Sequence, residues 1–98
     1  MNNNDINQID PQWHVIRAKF GNIVQAGDGS IVAAYKGSNV DALPGSIVIA
    51  YEGSIVNAYK DSLIKALKGS IVYAHKGSIV SAREGGDVRA LKGGTVIY

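Results

Sequence analysis

Gly45-Ser-Ile-Val-Ile-Ala-Tyr-Glu52 is followed at once by Gly53-Ser-Ile-Val-Asn-Ala-Tyr-Lys60. One eight-residue phrase appears twice, and it recurs through nearly everything from Trp13 to Tyr98. A unit this short cannot bury its own apolar face, so its copies must stack on one another. Counting the glycine as position one, the slot falls at Gly21, Gly29, Gly37, Gly45 and Gly53. It passes to Asp61 and resumes at Gly69, Gly77, Gly85 and Gly93, while Trp13 stands in the slot of a degenerate first copy. Position four reads Ile16, Val24, Val32, Val40, Val48, Val56, Ile64, Val72, Val80, Val88 and Val96. Position six is alanine from Ala18 to Ala90, and position two is small, mostly serine.

Side chains alternate between the two faces of a strand, so positions two, four and six share one face. A column of Ser, Val and Ala that never admits a large or charged residue is an inward face, and Val24 to Val96 are its expected core. Position five between them runs Gln25, Ala33, Asp41, Ile49, Asn57, Lys65, Tyr73, Ser81 and Arg89. No buried column tolerates that series, so it points out. The Gly-Ser pair with its preceding Lys or Glu makes the corner, where glycine supplies backbone angles that other residues resist. Aspartate in the slot at position 61 fits, because Asp tolerates the left-handed region better than most. β-branched pairs and a glycine every eight residues exclude a helix.

The chain of 98 residues is one domain, divided into a polar arm or cap over residues 1–12 and an octapeptide solenoid over residues 13–98. Within the arm, Ile6 and Ile9 could fold over the first coil and cover its edge. No cysteine is present, which rules out disulfides and Cys-ligated metal. The formal charge of +2 comes from interspersed Lys and Arg, a pattern that points to neither nucleic acid nor a membrane surface. No apolar run approaches the ~20 residues of a membrane-spanning helix. Met1-Asn-Asn-Asn-Asp5 lacks the basic and apolar regions of a signal peptide, so a cytoplasmic protein or part of an assembled particle is expected.

A longer period lies over the octad. Leu43, Leu67 and Leu91 follow every third alanine, the outward residues two before them are Asp41, Lys65 and Arg89, and Ile49, Tyr73 and Ile97 form another class. The chain therefore also repeats at 24 residues. Three arrangements fit an octad: a flat two-sided solenoid stacks every second copy, a triangular coil every third, and an intertwined trimer sets consecutive copies of neighbouring chains together. The longer period favours a three-sided β-helix with ladders such as Leu43-Leu67-Leu91, Ile31-Ile55-Ile79 and Tyr35-Tyr59-Arg83. Corner charges pull the other way. Every-third stacking sets Asp28 on Glu52 and Lys36 on Lys60, whereas consecutive octads pair Asp28 with Lys36 and Glu52 with Lys60. Three walls of Ser, Val and Ala would also under-fill a lone triangle, a problem that intertwining or a flatter section relieves. The fold class is an all-β solenoid, three-sided on this reading, with the number of strands per coil open.

Octapeptides with an inward Val and a corner Gly, seen here in the Gly-Ser-Ile-Val phrases over residues 21–98, resemble the needle of contractile phage tails and type VI secretion spikes. That resemblance implies an intertwined homotrimer that acts mechanically, without catalysis or cofactor.

Nothing in the chain assembles into a reaction centre. His14 and His75 have no second histidine nearby, and the carboxylates are spread singly rather than in the close pair that acid–base chemistry needs. Ser30, Ser38, Ser46, Ser54, Ser62, Ser70 and Ser78 recur as turn residues, which is not how a nucleophile is used. Gly27-Asp28-Gly29 lacks the lysine and helix of a phosphate loop. The expectation is therefore a protein that is not an enzyme and takes no cofactor, metal or nucleic acid. Outward Ile31, Ile47, Ile55, Ile71 and Ile79, with Tyr35, Tyr51, Tyr59 and Tyr73, form apolar stripes that either pack into the corners or serve as an interaction surface. Two functions follow: an oligomeric, trimeric spike or fibre segment, or a monomeric or dimeric module that binds or inhibits a protein partner through those stripes.

Overall fold

The computed structural model describes residues 15–91 and 93–97. The expected arm over residues 1–12 lies outside them. All regular structure among the described residues is β, arranged as a solenoid of short parallel strands. One sheet is built from β1 (Val15–Ala18), β3 (Ile31–Ala34), β5 (Ile47–Ala50), β7 (Leu63–Leu67), β9 (Ile79–Glu84) and β11 (Thr95–Ile97). The other holds β2 (Ile23–Ala26), β4 (Asn39–Ala42), β6 (Ile55–Ala58), β8 (Ile71–Ala74) and β10 (Asp87–Ala90). We call them the odd and even sheets.

The cross-section has two sides, not three. Ile31 pairs with Ile47, Val32 with Val48 and Val48 with Ile64, and on the even sheet Val40 pairs with Val56 and Val56 with Val72. Every second octad stacks, so one coil is two octads. The 24-residue period is a sequence pattern whose successive members fall on opposite sheets. Leu43 and Leu91 follow even strands whereas Leu67 ends β7, and Ile55 lies across the core from Ile31 and Ile79. The ladders expected of a triangle are therefore not formed. Side-chain volume is the reason: with only Ser, Val and Ala inside, two walls close directly on each other, whereas three would enclose a void.

The core is a single thin layer. Val32, Val48, Val56, Val72 and Val80 are fully buried, as are the alanines from Ala18 to Ala74 at position six. Toward the ends of the stack Val24, Val88 and Val96 are only partly covered, and Ile16 is exposed.

Each regular corner is a type II turn with glycine at its third residue. Ser38 N donates to Tyr35 O at 3.1 Å, and Gly37 between them has φ 82°. The serine hydroxyl donates to the same carbonyl at 2.6 Å, as it does at Ser30, Ser46, Ser54, Ser62, Ser70 and Ser78. A hydroxyl buried in an apolar layer is thereby satisfied. The corners are also tied turn to turn, since Gly37 N donates to Gly53 O and Gly53 N to Gly69 O, both at 2.9 Å. Asp61 takes the glycine's place at one corner and Asn22 and Gly94 the serine's at two others, and one further corner departs more widely. Gly86 replaces the anchoring serine, β9 runs on to Glu84, and the pairing with β7 shifts between Lys65 and Leu67.

Candidate functional site

With the interior occupied by small side chains, what can meet another molecule is the outer surface, and the two sheets differ there. On the odd sheet, position three carries Val15, Ile31, Ile47, Leu63 and Ile79 before ending at Thr95. Position five beside it carries Arg17, Ala33, Ile49, Lys65, Ser81 and Ile97. Ile47, Leu63 and Ile79 are 43%, 47% and 42% exposed, high values for branched aliphatic residues in mid-sheet. A shallow groove of about 190 Å3 runs along this face, lined by Ile47, Leu63, Ile64, Lys65, Ile79 and Ser81.

The even sheet is polar and internally satisfied. Asn39 and Asp87 interrupt its position-three column, leaving Ile55 and Ile71 half-buried between them and Ile23 exposed toward one end. In position five, Asn57 Nδ2 donates to Asp41 Oδ1 at 3.2 Å. One turn beyond Tyr73, Arg89 Nη1 donates to the Tyr73 hydroxyl at 3.3 Å. The guanidinium lies 5.6 Å from the centre of the Tyr73 ring and 3.5 Å from Asp87 Oδ2.

Position seven makes the two flanks. After the odd strands, Tyr35 and Tyr51 stack with ring centres 5.0 Å apart and planes 3° from parallel. After the even strands, Tyr59 stacks on His75 at 4.6 Å and 12°. Stacking uses the ring faces for turn-to-turn contact, which favours each pair by ~0.5–1.5 kcal/mol beyond burial. His75 Nε2 is buried and has no hydrogen-bond partner among the described residues.

The residues expected to mark an interaction surface are thus divided. Ile31 and Ile47 sit on the odd face with Tyr35 and Tyr51 on its flank, whereas Ile55 and Tyr73 face out from the even sheet and Tyr59 flanks it. Two residues of the odd face, Ile49 and Leu63, went unselected. Sorting octads by odd and even number finds them, because the exposed aliphatic residues then fall largely in one set. Of the recurring serines, Ser38 to Ser78 are buried and Ser30 is half-buried, and each donates its hydroxyl to a corner carbonyl. Among the described residues no three His, Asp or Glu side chains come together as metal ligands, and no helix is long and apolar enough to cross a membrane. No family model matches the chain, and no curated protein or solved structure matches it either.

Proposed function

We propose that the chain is a non-enzymatic structural module, a rigid β-solenoid segment that works as part of an oligomer such as a spike or fibre. The observation that carries this reading is the contrast between a single-layer core and an apolar outer face of exposed Ile47, Leu63 and Ile79. Small domains rarely leave such a stripe uncovered without a partner. A two-sided coil changes how such an oligomer is built. Interior strands such as β5 and β6 are bonded on both edges to strands of the same chain, so copies join through faces or ends and do not interweave.

Light scattering on the full chain over a concentration series tests the reading. A mass above that of one chain supports it. A single-chain mass throughout removes it and leaves the second reading, a binding or inhibitory module whose exposed Ile and Tyr residues meet a different protein.

A further inference from the structure

The odd sheet carries both halves of an interlock on one surface. Ile31, Ile47, Leu63 and Ile79 form a ridge of branched side chains in position three. Beside it, position five drops to Ala33, already buried between its neighbours at 7% exposure, and to half-buried Ser81, on either side of Ile49 and Lys65. Two columns on one face of a strand stand ~7 Å apart, so the ridge of a facing sheet can lie over the lower column wherever that column drops to a small residue. The groove bounded by Ile47, Leu63, Ile79, Lys65 and Ser81 is that trough.

We infer that the odd sheet is a dimer face, packed against the same face of a second copy about a twofold axis parallel to the solenoid. Such an axis preserves the order of turns and exchanges the two columns. Ile31 then lies over Ala33 of the second copy, Ile79 over Ser81, and Ile47 over Ile49. Leu63 meets the aliphatic stem of Lys65, whose ammonium reaches water at the rim. An axis along the strands would set ridge on ridge and hold the sheets apart, so complementarity selects the parallel arrangement. The even sheet is unsuited to the same contact, because Asn39, Asp41, Asp87 and Arg89 would be desolvated there. Six strands at ~4.8 Å spacing, mostly four residues or ~13 Å long, give ~370 Å2 per copy, hence ~750 Å2 in total. That area is below that of stable specific interfaces, which fits a weak, reversible, concentration-dependent dimer. This inference rests on the reading of the chain as an oligomeric module and gives that reading a surface and a symmetry.

Sedimentation equilibrium of the full chain and two charge variants tests it, with circular dichroism confirming that each variant is folded. The chain is expected to shift from one-chain to two-chain mass as concentration rises. Leu63→Asp should remain at one-chain mass, while Ile71→Asp on the even sheet should associate as the parent does. Should Leu63→Asp fail to fold, Ser81→Arg, which fills the trough from a half-exposed site, takes its place. The chain has no native cysteine, so orientation is read by mixing Ile47→Cys with Ile49→Cys under mild oxidation. The mixed disulfide should outweigh both homodimers. Association that persists in Leu63→Asp, or an excess of the Ile47→Cys homodimer, overturns the inference while sparing the oligomeric reading. One-chain mass at every concentration overturns both.

Discussion

Asp61 is the one described non-glycine residue with positive φ, at 63°, and its tolerance has a local cause. A Cβ built on Gly53 would lie 2.7 Å from Lys36 Cγ, and one on Gly77 would lie 2.8 Å from Lys60 Cγ. Both neighbours are seventeen residues earlier, one turn beneath the corner. The residue at that offset from Asp61 is Pro44, whose compact ring sends no long chain across the corner. Gly53→Ala should therefore destabilise by about 1–2 kcal/mol, combining the left-handed backbone with the Lys36 contact. Asp61→Gly should be neutral or stabilising by up to ~1 kcal/mol, since relief of the left-handed cost offsets the greater freedom of glycine in the unfolded chain. Denaturant titration of the two variants checks both signs. Ser54→Ala removes a hydroxyl but leaves the Tyr51 carbonyl bonded to the residue-54 amide, so its loss should stay near ~1 kcal/mol.

At the scale of the strand and its corner, the inward and outward faces were legible in the sequence because position four admits only Val or Ile and position six is alanine from Ala18 to Ala90. Which strand lies on which was not legible. Inward residues are nearly identical in every octad and so carry no register information, and the outward classes echo at 24 residues. The corner charges do not hold the answer: at every second octad Lys36, Glu52 and Lys68 alternate in sign up one corner, but Lys60 and Lys76 stack like charges up the other. Aromatic residues do hold it, since Tyr35 and Tyr51, and then Tyr59 and His75, are spaced by one coil. Tyr51→Leu keeps the apolar bulk and removes the stack on Tyr35. It should lower stability by ~0.5–1.5 kcal/mol in the same titration, with an unchanged far-ultraviolet spectrum.

For the whole molecule, the inner pattern repeats every octad whereas the outer surface differs between the two sheets that alternate octads build, and this predicts how the chain answers to changes of length. Removing residues 45–60, one full coil, should leave a shorter solenoid with its odd face intact. Removing residues 53–60 alone should also fold, because Ser, Val and Ala still meet their like. Every later residue then changes sheets, so Leu63 and Ile79 leave Ile31 and Ile47. Circular dichroism should be similar for the two deletions, and only the second should lose the concentration-dependent mass. The corner bonds from Gly37 to Gly53 to Gly69 have a mechanical meaning as well. They run along the solenoid axis, as the strand pairings do, so a thrust on the end of the stack presses each turn onto the next. A pull on the chain ends instead frees the turns one after another. Such a stack of turns resists compression better than tension.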